Sequence, residues 1–97
     1  MNKNVPESLY LKVATPNRLL IEADVEQVSL PSLDGYLGIL PGHRPLLVEL
    51  GKGDLTFWIA KKEERISLQG GYAEILPDKV LVLAELRKHE EDQSVEK

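Results

Sequence analysis

The sequence predicts an all-β fold, a flattened β-sandwich or barrel of about eight to ten short strands with a short C-terminal tail. Three observations support this prediction. Apolar and polar residues alternate over short stretches, Gly- and Pro-rich turn signals separate those stretches, and no helical period is sustained before residue 84. Strands that are short and evenly punctuated are typical of sandwiches and small barrels.

Composition bounds the possible functions. A chain of 97 residues with 42% hydrophobic and 29% charged content is typical of one soluble-type globular domain. The net charge of −4 and the lack of a basic stripe argue against a nucleic-acid partner. There are no cysteines, which excludes disulfides, thiol catalysis and cysteine-bound metal. The longest apolar run is too short to cross a bilayer, so we expect no membrane insertion.

In the first part of the chain, alternation over residues 9–13 predicts a half-buried strand, and residues 18–22 predict a returning strand. Val25 is out of phase with Val28 and Leu30, and this slip of one residue predicts a β-bulge near position 26 or 27.

The second half of the chain predicts further strands at 55–60, 65–69 and 72–76, with a charged hairpin tip at 61–64. Pro77-Asp78 predicts a tight turn. The apolar run 80–84 is continuous rather than alternating, which is typical of a strand that is covered on both faces.

The stretch from Asp34 to Leu47 carries the strongest local signals. Pro41 suits the first central position of a turn and Gly42 supplies the positive φ of a type II turn. Pro45 then prevents a helix. So many residues that restrict the backbone indicate that this stretch specifies a shape.

His43 is the candidate for chemistry, because His89 lies in the polar tail. A general base needs a nucleophile or a substrate pocket within hydrogen-bond reach, and the spacing of the sequence points to none. Metal-ligand spacings, a nucleophile elbow and a phosphate-binding glycine loop are absent from the sequence. We therefore expect no catalytic residue, cofactor, metal or small-molecule substrate, and a small enzyme using His43 is the weakest interpretation.

The central stretch, Asp-Gly-Tyr-Leu-Gly-Ile-Leu-Pro-Gly-His-Arg-Pro-Leu-Leu, resembles the hallmark of the epsilon subunit of F-type ATP synthases, which is called delta in mitochondria. Gly70-Gly71-Tyr72 and the run 80–84 extend the resemblance, which covers residues 9 to about 85. The resemblance implies a non-catalytic subunit of the rotor's central stalk, in a proton- or sodium-translocating enzyme. Such a subunit binds the gamma subunit along one side and rests an end loop on the c ring, as a peripheral membrane protein on the cytoplasmic, matrix or stromal side.

Carried over by position, the resemblance implies two groups of site residues. The expected contacts at the c-ring end are Ser32, Leu33, Asp34, Gly35, Tyr36 and, in the turn beside that loop, His43. The expected loop-shaping residues are Gly38, Pro41, Gly42 and Pro45. Relatives often have an acidic residue where this chain has Tyr36.

The expected organisation is a β-sandwich domain at residues 8–85 and a polar, mobile tail at 86–97. Family members usually continue into two C-terminal helices, whereas this sequence resembles a short form in which the tail stands in place of that hairpin. The alternative to a rotor subunit is a freestanding β-sandwich module that binds a different protein partner.

Overall fold

The computed structural model describes residues 5–86, and this part of the chain forms nine β-strands. They are β1 (Leu9–Ala14), β2 (Leu19–Val25), β3 (Gln27–Ser32), β4 (Gly35–Ile39), β5 (Leu46–Leu50), β6 (Gly53–Ile59), β7 (Lys62–Leu68), β8 (Gly70–Leu76) and β9 (Lys79–Glu85). The predicted all-β fold class is confirmed. The predicted tail lies outside the described residues except for Leu86.

The strands form one sheet that folds over on itself, in the order β2-β1-β9-β8-β5-β3-β6-β7, with β4 paired to the other side of β3. β1 and β9 are parallel, and all other neighbours are antiparallel. β5 and β3 share a single pair, Leu50 with Ser32, so the sheet bends there. The two resulting layers are β2-β1-β9-β8-β5 and β4-β3-β6-β7.

Alternation places one face of each strand in a shared core between the layers. In β1, residues 9, 11 and 13 are fully buried, while Lys12 between them is exposed. The buried apolar side chains are Leu9, Leu11, Val13, Val25, Val28, Leu30, Ile39, Leu50, Leu55, Phe57, Leu68, Ala73, Ile75, Val80, Val82 and Ala84. Burial of these side chains at about 1.5–3 kcal/mol for each large one is the main stabilising contribution to the fold.

The predicted bulge near position 26 is wrong. Val25 ends β2, where it pairs with Leu9, whereas Val28 belongs to β3, where it pairs with Phe57 and Ile39. Glu26 lies between the two strands. The phase slip therefore marks the passage from one strand to the next, and both valines reach the same core.

The predicted charged tip at 61–64 is also misplaced. The turn between β6 and β7 is Ala60-Lys61, with φ of 50° and 66°, and the residues that follow it are already in β7. Positive φ at both central residues is the geometry of a type I′ hairpin turn. Neither residue is one of the Asn, Asp or Gly that usually signal such a turn, so the sequence did not reveal it.

Candidate partner-binding surfaces

The predicted end loop is a tight two-residue turn, Leu33-Asp34, between β3 and β4. Ser32 pairs with Gly35 across it. The Ser32 hydroxyl donates to the carbonyl oxygen of Gly35 at 2.5 Å and accepts from the Asp34 N–H at 3.2 Å. Gly35 has φ of +121°, which a side chain would disfavour. These constraints hold Leu33 at the tip, where it is 63% exposed.

Backbone hydrogen bonds tie this turn and the end of β3 to the end of β5 and the residue that follows it. The Leu33 N–H donates to the Glu49 carbonyl at 3.3 Å, and the Gly51 N–H donates to the Pro31 carbonyl at 2.7 Å. The Leu33 side chain lies against Gly51, since a Cβ built on that glycine would be 3.4 Å from a Leu33 methyl carbon. We call Ser32–Tyr36 together with residues 49–54 the end pole. Its loops hold each other in place.

Tyr36 contributes to the shape of the end pole. Its ring reaches across β3, and its hydroxyl accepts a hydrogen bond from the Asp54 N–H at 3.1 Å. A Cβ on Gly53 would lie 2.9 Å from the Pro31 side chain and 2.5 Å from the Tyr36 hydroxyl, so only glycine leaves room for the ring. Tyr36 is nevertheless exposed. The sequence could not predict this link, because Tyr36 and Asp54 are far apart in the chain.

His43 does not lie beside the loop, and the expectation that placed it there is wrong. The turn Leu40–His43 closes through the His43 N–H and the Leu40 carbonyl at 3.1 Å, and Gly42 has the predicted positive φ of +92°. The Gly42 N–H donates to the Pro77 carbonyl at 2.8 Å. This turn therefore lies at the opposite end of β4 from the end pole, roughly 15 Å away at about 3.3 Å per strand residue.

The imidazole of His43 fixes the chain that follows it. Its Nδ1 lies 2.7 Å from the Arg44 carbonyl oxygen and donates to it. The ring is half-buried and makes no contact that marks it as a general base. Pro41 occupies its predicted turn position, and exposed Pro45 leads into β5. The expectation that Gly38 shapes the loop finds no steric support, because a Cβ there would meet nothing within 4 Å.

A second surface, not predicted from the sequence, is the outward face of β1, β9, β8 and β5. We call it the apolar face. In one row across the strands, Ala14, Leu83, Tyr72 and Glu49 are register neighbours; in the next row, Lys12, Leu81, Glu74 and Leu47 are neighbours. All of these residues except Glu49 line a shallow depression of about 370 Å³.

Three large apolar side chains of this face are more than half exposed to solvent. Leu47 is 74% exposed, Tyr72 56% and Leu83 52%. The expectation that residues 80–84 are covered on both faces is therefore wrong for the chain alone: Val80, Val82 and Ala84 are in the core, while Leu81 and Leu83 point outward. The continuous apolar run was the sequence signal from which this surface could have been found.

Two side chains outside the end pole, Tyr10 and Arg65, each contact a carboxylate that raises their pKa. The Tyr10 hydroxyl donates to the Glu22 carboxylate, and this hydrogen bond raises the pKa of Tyr10 above 10.0. On β7, Arg65 pairs with Glu63 at 2.7 Å, which raises the pKa of the guanidinium. Within residues 5–86, no three acidic or histidine side chains are grouped closely enough to hold a metal ion. The same part of the chain contains no helix long and apolar enough to cross a membrane.

Comparison with known sequences gives one consistent family. Residues 8–88 match the family described as ATP synthase, Delta/Epsilon chain, beta-sandwich domain. The ATP synthase epsilon chain of Solibacter usitatus (strain Ellin6076) is 43% identical over 93 residues, which are 96% of this chain and 69% of that protein. The ATP synthase epsilon chain of Koribacter versatilis (strain Ellin345) is 38% identical over 89 residues, 92% of this chain and 63% of that protein. The chain thus spans about two thirds of the length of these relatives.

Solved structures agree on the fold. A chain of the Euglena gracilis mitochondrial ATP synthase, solved as an OSCP/F1/c-ring assembly, matches 99% of this chain with a TM-score of 0.78 at 19% identity, over 66% of its own length. A chain of the Tetrahymena thermophila mitochondrial ATP synthase central stalk and c ring matches 80% of this chain with a TM-score of 0.67 at 14% identity, over 63% of its own length. At these identities the likeness concerns the fold alone.

Proposed function

This chain belongs to the family of ATP synthase delta/epsilon chain β-sandwich domains, and on that premise we propose that it is a non-catalytic central-stalk subunit of an F-type ATP synthase. In this role it links the gamma subunit to the c ring and supports the coupling of ion flow to ATP synthesis. The proposal follows from the family and from relatives named as epsilon chains of the same enzyme.

The apolar face is the single observation that carries the proposal for this chain. β9 and β8 lie in the middle of their layer, and their inward residues already complete the core. Their outward residues, Leu83 and Tyr72, have nothing over them within residues 5–86, and Leu47 of β5 extends the same patch. A contiguous apolar patch on a small domain marks a site where another protein binds. We assign this face to the gamma subunit.

The end pole is the proposed contact with the c ring. It presents an exposed leucine on a two-residue turn, and backbone hydrogen bonds anchor this turn and the end of β3 to the end of β5 and to Gly51. A tip that is already rigid loses little conformational entropy when it binds, which suits a contact that must transmit torque. His43, Pro41 and Pro45 lie at the other end of β4, so we leave them out of this contact.

Capture from membranes with a tagged chain tests the assignment of both surfaces. We expect the chain to retain the gamma subunit and the c ring, Leu83→Asp to lose gamma, and Leu33→Asp to keep gamma while losing the c ring. Leu40→Asp is the matched control, because Leu40 is a comparably exposed leucine outside both surfaces. Retention of gamma by Leu83→Asp refutes the assignment of the apolar face. Capture of neither partner by the unaltered chain favours the freestanding binding module.

A further inference from the structure

Glu74 stands in the middle of the apolar face. Its register neighbours are Leu81 on β9 and Leu47 on β5, and the residue two positions before it on the same face is Tyr72. Glu74 is exposed, and it is one of the residues that line the depression of the apolar face and a second depression beside the start of β5. A charged residue that has apolar neighbours on three sides of the same face differs from the usual arrangement, in which charges form the rim of an interface.

The carboxylate of Glu74 has no cationic partner within residues 5–86, where the ion pairs are those of Arg65. Lys12 shares its row but lies two strands away, about 10 Å at about 4.8 Å per strand, and its own register neighbour on the far side is Glu22. Lys79 is only a diagonal neighbour and forms no ion pair with it in this part of the chain. Glu49, on the other diagonal, adds a like charge.

A partner that covers Leu47, Tyr72 and Leu83 also removes water from Glu74. Burial of an unpaired carboxylate strongly opposes binding, so a surface that binds here needs a group that compensates the charge. We infer that the partner presents one arginine or lysine opposite Glu74, with apolar side chains on both sides of it, and that this pair selects the partner and fixes its register. The inference rests on the proposed function of the apolar face as the contact with gamma.

The affinity of the chain for the isolated gamma subunit tests this inference. We expect Glu74→Gln to weaken binding roughly 30-fold, mainly through faster dissociation, because the partner's cation is left buried and unpaired. Glu74→Arg places two cations together and is expected to weaken binding more than about 100-fold. The matched controls are Glu64→Gln and Glu64→Arg on β7, an exposed strand at the far end of the sheet order. Both controls should bind within about twofold of the unaltered chain.

The outcomes separate this inference from the proposed function. Tight binding of gamma that is unchanged or strengthened in Glu74→Gln overturns the inference and leaves the proposed function standing. No binding by the unaltered chain overturns both. Thermal midpoints of the four variants, expected within a few degrees of the unaltered chain, exclude misfolding as the cause.

Discussion

Replacing Gly71 by alanine should destabilise the fold strongly, although it adds only one carbon atom. Gly71 lies inside β8 and pairs with Ala84 of the central strand β9. Its φ is +136°, and a Cβ on it would be closer than 3.0 Å to the Leu83 carbonyl oxygen and 3.1 Å from the Ala84 Cα. Both obstacles are backbone atoms, so no side chain can turn aside to make room.

The expected cost combines two terms. A non-glycine residue in this region of φ costs about 1–3 kcal/mol, and forcing an extra carbon into a packed site costs about 1–3 kcal/mol more. Alanine recovers about 0.4–1 kcal/mol by restricting the unfolded chain. The net loss is about 3 kcal/mol, a large part of the about 5–15 kcal/mol that stabilises a typical domain. At about 4–8 °C per kcal/mol, the thermal midpoint should fall by about 12–24 °C.

Substitutions at two other glycines distinguish the cost of the backbone conformation from the cost of the close packing. Gly35 has a φ of +121° but nothing within 4 Å of a Cβ, so Gly35→Ala should show the conformational cost alone, about 1–2 kcal/mol. Gly38 has no positive φ and no atom within 4 Å of a Cβ, so Gly38→Ala should be neutral or stabilising by about 0.4–1 kcal/mol. Urea unfolding followed by circular dichroism gives all three values. If Gly71→Ala and Gly38→Ala agree within about 0.5 kcal/mol, the close packing of β8 on β9 is refuted.

Two further predictions concern the hydrogen bonds made by the hydroxyl groups of Tyr36 and Tyr10. Tyr36→Phe removes the acceptor for the Asp54 N–H and should lower the free energy of unfolding by about 0.5–1.5 kcal/mol. Hydrogen exchange of the Asp54 amide should become faster. Unchanged exchange at Asp54 would show that the Tyr36 ring does not anchor the end pole. The raised pKa of Tyr10 means that its hydrogen bond to Glu22 contributes stability in full below pH 10.0, and the contribution is lost as pH rises through the higher pKa of the folded state. Tyrosinate absorbance should therefore show Tyr10 ionising above pH 10.0, and Glu22→Gln should bring that midpoint down; no change in this variant would contradict the assigned cause.

Local signals predict the strands and most turns well because the residues that carry them act on their own neighbours. Alternation over residues 9–13 gives the buried face of β1, and Pro41-Gly42 gives a turn with the expected hydrogen bond and φ. The turn Ala60-Lys61 is not predictable in this way because its backbone is set by the pairing of β6 with β7 rather than by its own residues. The interpretation of the shift in alternation after Val25 as a bulge is wrong because it assigns the residues on its two sides to one strand. They belong to two strands, β2 and β3.

The candidate sites are less predictable, because their geometry depends on which strands become neighbours. The parallel pairing of β1 with β9 joins the two ends of the described chain, and no short-range pattern encodes it. That pairing and the β8–β9 hairpin bring Lys12, Leu83 and Tyr72 onto one face. His43 is close to the end loop in sequence, yet a whole strand separates the two in space. The loop residues themselves, from Ser32 to Tyr36, do lie together at the end pole.

The ratio of ATP-driven ion pumping to ATP hydrolysis tests the central claim most directly. The measurement compares membranes carrying the ATP synthase reconstituted without the chain, with the unaltered chain, and with Leu83→Asp. The proposed role as a linker between gamma and the c ring predicts that the unaltered chain restores pumping per ATP hydrolysed, while its omission or Leu83→Asp leaves hydrolysis uncoupled from pumping. A pumping-to-hydrolysis ratio that is the same in all three preparations would contradict the assignment of this chain to the rotor.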